Sequence, residues 1–248
     1  MAFYAYCLLR LSSDEPWPVM QGISEHPVFP FRCGKYTMLL SRLDRNFPFT
    51  PRSIVEHAQV ISRVFESHTV LPMRFATFFK SEKQISNLIQ ENQKELLESF
   101  CRLRGKAEMR LKLVFQNCHD TKPEWKPLQS IQTAEHESSE EPAILDPARR
   151  EMADQIATRL RDMFHPLDQQ VSCRLIQNRE LLVDCAHLIE TQKAEIYQKM
   201  QPAACEEVKG CDIRISGPWP PYHFLPTSVR LPAATPIPLR RRAVASAR

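Results

Sequence analysis

The stretch Ala107–Gln116, AEMRLKLVFQ, decides the fold. It places Met109, Leu111, Leu113 and Phe115 on one side and Glu108, Arg110 and Lys112 on the other. That period of two marks a β-strand with one apolar and one wet face. Immediately upstream, Ser81 and Gln84 form a capping box, and Ile85, Leu88, Ile89, Leu96, Leu97 and Phe100 make one apolar stripe. Gly105 ends that helix, so the strand follows it directly.

Further toward the N-terminus, residues 67–79 (SHTVLPMRFATFF) are rich in β-branched and aromatic side chains and read as a strand, with Pro72 demanding an edge position. Thr50 and Pro51 supply an N-cap and a first-turn proline for a helix buried through Ile54, Val55, Ala58, Ile61, Val64 and Phe65. HPVFPFR and YTMLLSRL, joined at Cys33-Gly34-Lys35, read as a hairpin, because glycine admits the positive φ of a tight turn. Phe3–Leu11 alternates as a first strand. The predicted order is a mainly antiparallel sheet of ferredoxin-like type, closed by AEMRLKLVFQ, with two helices on one face.

Beyond that strand, periodicity stops. Residues 118–145 contain EHESSEEP, and Asn117–Pro147 holds seven acids against two lysines, the composition of a solvated linker. Asp146-Pro147 caps a new helix with Met152, Ile156, Leu160 and Met163 on one face. Strands follow at Val171–Ile176 and Glu180–Cys185, then a helix over His187–Glu207 and a strand over Cys211–Ile215, giving a second, smaller αββαβ unit. The expected division is therefore residues 1–117, a linker at 118–145, a second α+β domain at 146–224, and a Pro-rich tail at 225–248.

The formal charge is +4, yet the tail alone carries five arginines and no acid. The basicity thus belongs to the tail, where Arg240-Arg241-Arg242 offers contact with nucleic acid or anionic lipid but no aromatic platform for bases. No apolar run is long enough to cross a bilayer, and the first residues lack a signal peptide's basic start and cleavage site. The expected location is the cytoplasm, without membrane insertion.

Chemistry is sparse. Five glycines leave none to cradle a phosphate, and G-x-S-x-G is missing. The eight cysteines, at 7, 33, 101, 118, 173, 185, 205 and 211, contain no C-x-x-C pair. That spacing argues against zinc and for small buried hydrophobes, Cys173 and Cys185 among them. Glu135-His136-Glu137 sits in the linker with no preorganised geometry, and His57 and His68 read as packing or surface residues. Arg74 and Glu108, each in a strand among apolar residues, read as an ion pair fixing register, with an acid–base pair as the alternative. No cofactor and no metal is expected.

The most unusual segment is Gly217–Phe224, GPWPPYHF. It closely resembles the GPWPPYSF ending of the gas vesicle protein GvpF/GvpL family. VLPMRFATFF resembles that family's VLPvRFGTvF strand, with His57-Ala58 in the preceding helix where the family has an HE-like start. FYAYCLL, GKAEMRLKL and NRELLVD resemble three further family strands, in the same order, from about residue 3 to 224. Ala76 stands where the family has glycine, and the tail after Phe224 lies outside the resemblance.

The resemblance implies a two-domain, non-catalytic accessory protein located in the cytoplasm and at the gas vesicle. Such a protein binds the hydrophobic shell subunit GvpA and other accessory vesicle proteins during assembly, and involves no nucleic acid. Arg74, Phe75, Trp219, Pro220, Pro221, Tyr222 and Phe224 are the partner-contact candidates. Proline fixes φ in GPWPPYHF, so Trp219, Tyr222 and Phe224 are either held out for a partner or folded back between the domains. Two other classes remain open: a small-molecule enzyme using Arg74 and Glu108, and a nucleic-acid module acting through the tail.

Overall fold

The computed structural model describes residues 1–11, 16–115, 147–175, 181–208, 211–226 and 229. The whole predicted linker, Glu135-His136-Glu137 included, and most of the basic tail lie outside these. Two antiparallel sheets organise two units, Met1–Arg102 and Leu103–Leu225. The α+β class is the one expected.

In the first unit, β1 (Ala2–Leu9) lies between β4 (Tyr36–Leu43) and a broken edge made of β5 (Val70–Pro72) and β6 (Phe78–Phe79). β3 (Pro27–Cys33) forms the predicted hairpin with β4, and the short β2 (Met20–Gln21) lies outside it. Helix α1 (Pro51–Phe65) starts at Thr50, whose N–H donates to Ser53 Oγ at 3.2 Å. It buries Ile54, His57, Val60, Ile61 and Val64, so the stripe is centred on His57.

The expected second helix is two, α2 (Glu82–Glu91) and α3 (Gln93–Leu103), broken at Asn92, whose Nδ2 donates to Leu88 O at 2.7 Å. Ser81 Oγ accepts from Gln84 N as predicted. The helices do not share a face. Tyr4, opposite Ser41, bonds α1, whereas Tyr36 donates to Gln93 O and packs on Phe100 of α3. Tyr36 and Ser41 are an odd number of residues apart in one strand, so they point to opposite faces. An apolar stripe says that a helix is half-buried and leaves open which side of the sheet buries it.

The strand read over 67–79 is interrupted. Ala76 has φ 62°, the left-handed region that favours glycine, which accounts for a position where the resembling sequences carry one. Arg74 O accepts from Thr77 N at 3.2 Å and Thr77 Oγ1 at 2.7 Å, closing a turn between β5 and β6. A kinked edge of this kind resists pairing with another chain.

AEMRLKLVFQ belongs to the other sheet. As β7 (Lys106–Phe115) it pairs with β9 (Leu181–Glu190) and with β10 (Cys211–Trp219), and β8 (Asp168–Leu175) completes the order β10-β7-β9-β8. With α4 (Pro147–Phe164), α5 (Ala194–Lys199) and α6 (Gln201–Glu207), the second unit runs β-α-β-β-α-α-β, the ferredoxin-like succession with its second helix split near Pro202. The core on the helical face joins Met109, Leu111, Leu113, Val183 and Ile213 to Leu160, Phe164, Tyr197 and Ala204. Ile156 and Met163 pack against it as predicted. His187 to Glu190, expected to be helical, extend β9.

Candidate functional site

Glu108 shows the first departure from expectation. It was to lie on a wet face in company with Arg74; instead it is 2% exposed, and its carboxylate is held by His223. The His223 backbone N–H donates to Oε2 at 2.9 Å and its ring Nδ1–H donates to Oε1 at 2.7 Å. Arg74 is an exposed residue of the turn after β5, in a different sheet. The register-fixing pair is therefore a clamp between β7 and the GPWPPYHF segment, and the acid–base pair drops out with it.

That clamp explains the segment's shape. Strand β10 runs on through Gly217 and Pro218 to Trp219, which lies opposite Glu108, with the register slipping between Ser216 and Trp219. Gly217 has φ 123°, and a Cβ there would come within 2.8 Å of both Glu108 O and Met109 Sδ, so only glycine fits. Gln198 Nε2 donates to Gly217 O and Gln201 Nε2 to Ile213 O, covering two carbonyls of this outer strand. Trp219 Nε1 donates to Ser216 Oγ at 3.2 Å. Pro220, Pro221 and Phe224 are buried, and Trp219 and Tyr222 half-buried. Of the three aromatics, only Trp219 and Tyr222 keep surface to offer.

The same sheet face holds a second polar cluster. Arg110 Nε donates to Asp184 Oδ1 at 2.7 Å, Nη2 donates to Oδ2, and both residues are buried. Lys112 lies opposite Asp184 in register. Burial, and then the Arg110 guanidinium, lower its amine's proton affinity. Arg110 is thus buried in the sheet and Lys112 half-buried beside it, rather than both lying on a wet face.

In the first unit, the structure brings together residues that lie far apart along the chain. His57, fully buried, accepts at Nδ1 from the Tyr4 hydroxyl at 2.8 Å and donates from Nε2 to Met73 O at 3.1 Å. The carbonyl can only accept, which fixes the tautomer. The Ala76 N–H donates to the Tyr4 oxygen at 3.3 Å. One chain of hydrogen bonds thus runs through the turn that carries Arg74 and Phe75. Phe75 packs edge-on against Tyr4, Phe49 and His57. Burial pushes His57 down to about 4, so the ring is neutral near pH 7. His187 is its counterpart in the second unit, bonded to Tyr197 Oη at 2.6 Å and lowered to about 4 by burial and then by Arg161.

The arrangement is one of fixed surfaces. Glu108, Arg110, Asp184, His57 and His187 are all engaged by groups of the chain itself, and no group of three metal-ligating side chains occurs among the described residues. Of the candidate contact residues, Arg74 is exposed, and Phe75, Trp219 and Tyr222 are half-buried. The cysteines also differ from expectation: Cys7, Cys33, Cys101 and Cys205 are free thiols, but Cys185 is disulfide-bonded.

Comparison with known proteins places this geometry. Gas vesicle protein L1 of Halobacterium salinarum is 21% identical over 254 residues, covering 90% of both chains. Gas vesicle protein F of Microcystis aeruginosa is 29% identical over 110 residues, 42% of this chain and 45% of that one. Two crystal structures of gas vesicle protein GvpF share the fold. The one from an Anabaena species has a TM-score of 0.70 at 19% identity and covers 92% of this chain and 99% of its own. The one from Microcystis aeruginosa has a TM-score of 0.70 at 20% identity, with 91% and 99% covered. The family described as gas vesicle synthesis protein GvpL/GvpF matches residues 2–226, and this chain belongs to it.

Proposed function

We propose that the chain is a gas vesicle assembly factor that binds the hydrophobic shell subunit GvpA and other vesicle proteins, and that it catalyses no reaction. It acts in the cytoplasm, at the forming vesicle. No helix among the described residues is long and apolar enough to cross a membrane.

The physical need is plain. A subunit with an apolar face of several hundred Å² gains roughly 25 cal/mol per Å² by associating with anything apolar, so about 10 kcal/mol favours premature aggregation. A partner suppresses this by covering that face first. Preorganised surfaces do so at the lowest entropic cost.

The observation that carries the reading is the turn held by Tyr4, His57 and Met73, which sets Arg74 at the surface beside Phe75. A guanidinium next to an aromatic ring on a rigid turn is an interface anchor of the kind that dominates binding energies. Trp219 and Tyr222 form the second candidate anchor, braced by the Glu108 clamp. The test is co-purification with the shell subunit of intact protein and of Arg74→Ala and Trp219→Ala, each shown folded by circular dichroism. Retention by the intact chain, reduced about tenfold or more in a variant, supports the reading. Equal retention by all three removes these residues from it, and no retention by any removes the binding itself.

A further inference from the structure

We propose that Arg42, held against Phe3 and Phe29, is a docking point for a carboxylate on an acidic, partly apolar segment of another protein. Strand β4 sets Arg42 directly opposite Phe3 of β1, and Leu40, two residues along, opposite Phe29 of β3. The guanidinium carbon lies 5.8 Å from the centre of the Phe3 ring and 5.9 Å from that of Phe29. The two rings meet edge to face, with centroids 6.4 Å apart at 70°. Three neighbouring strands thus contribute one side chain each to a single cluster.

The cluster is open to a partner. Arg42 is exposed and Phe29 half-buried, and Phe3 is the one residue of β1 that is not buried. Among the described residues no carboxylate pairs with the Arg42 guanidinium, whose contacts are the two rings. Arg42 and Tyr36 are an even number of residues apart in one strand, so the cluster lies on the side where Tyr36 packs against Phe100 of α3. That is the face opposite the one on which Tyr4 and His57 hold the Arg74 turn. The site therefore stands whatever that turn binds.

The chemistry selects the occupant. Contact with the rings draws on the positive charge of the guanidinium and not on its N–H donors, so the fork stays available for two parallel bonds to a carboxylate. The rings also restrict the side chain before any partner arrives, which lowers the entropy lost on docking. Apolar residues beside the acid find the same two rings and keep water from the ion pair. A nucleic acid fits less well. The guanidinium already lies over both rings, which leaves no free platform for a base, and the cluster supplies one cation where binding to a phosphate backbone draws on several.

The experiment uses the full, isotope-labelled chain and a capped tripeptide with glutamate between two leucines, titrated by NMR at fixed ionic strength. The expected result is a saturable shift of the Arg42 side-chain N–H and of the Phe3 and Phe29 amides. Affinity should fall about tenfold when glutamine replaces the glutamate of the peptide, and by a similar factor in Arg42→Gln. Inorganic phosphate and a single-stranded oligonucleotide are titrated in parallel. Equal affinity for the glutamine peptide, equal binding by Arg42→Gln, no saturable shift at the cluster, or tighter binding of phosphate or the oligonucleotide than of the peptide each overturn the proposal. The glutamine peptide acts on the natural chain, so the test remains decisive if the variant fails to fold.

Discussion

Acidification should destabilise this protein well before its carboxylates titrate, because each unit buries one neutral histidine. His57 and His187 are both lowered from 6.5 to about 4, in each case chiefly by burial. The sign follows from linkage. Below pH 6.5 the unfolded chain binds a proton that the folded chain refuses, so stability is fully present above 6.5 and is lost as pH falls toward 4.

For one histidine shifted by that amount, going from pH 7 to pH 5 removes about 2 kcal/mol, and for both about 4 kcal/mol. Each unit thus loses about 2 kcal/mol, a sizeable share of the roughly 5–15 kcal/mol that holds a domain together. The assay is urea unfolding at pH 7, 6 and 5, with the imidazole titrations followed by NMR. Replacing both with glutamine should weaken the protein at pH 7 and flatten its pH slope. A natural chain that loses less than about 0.5 kcal/mol between pH 7 and 5, or imidazoles that titrate near 6.5, would refute the reasoning.

Three substitutions test the second unit. Gly217→Ala forces a Cβ to within 2.8 Å of the Glu108 carbonyl, so expression should yield little folded protein; a soluble variant of unchanged melting temperature would contradict the close approach. Asp184→Asn leaves Arg110 buried beside a neutral amide and should cost about 3–5 kcal/mol in urea unfolding, whereas replacing both by leucine should cost less. Glu108→Ala strands the two donors of His223 and should cost about 2–3 kcal/mol, with Glu108→Gln milder, since one amide oxygen still accepts from the His223 backbone.

The features legible in sequence were local ones. Thr50-Pro51, Ser81 with Gln84, the turn at Gly34 and the stop at Gly105 are set by backbone chemistry within a few residues, and all appear where expected. Alternation in AEMRLKLVFQ correctly separated Met109, Leu111 and Leu113 from Glu108, Arg110 and Lys112. It said nothing about which strands would be neighbours, because a period of two encodes a face and leaves the partner open. The strand was therefore placed one sheet too early.

The break in residues 67–79 was hidden because alanine, with no glycine's signature, occupies the left-handed position. The clamp was hidden for a different reason: Glu108 and His223 are 115 residues apart, and only the fold makes them neighbours. His57 was read as a packing or surface residue and is buried, but its role in holding the Arg74 turn needed Tyr4 and Met73 to be seen beside it. GPWPPYHF was conspicuous from its prolines, although those prolines did not reveal that the strand continues to Trp219.

The central claim, that this chain shields apolar surface on a vesicle protein without chemistry, is tested most directly by sedimentation. Shell subunit is diluted from denaturant into increasing amounts of the purified chain, and the fraction left in the supernatant is measured. The account predicts a saturable rise in soluble shell subunit that co-elutes with this chain on size exclusion, with no covalent change in either protein by mass spectrometry. Shell subunit that pellets equally with and without the folded chain would contradict it.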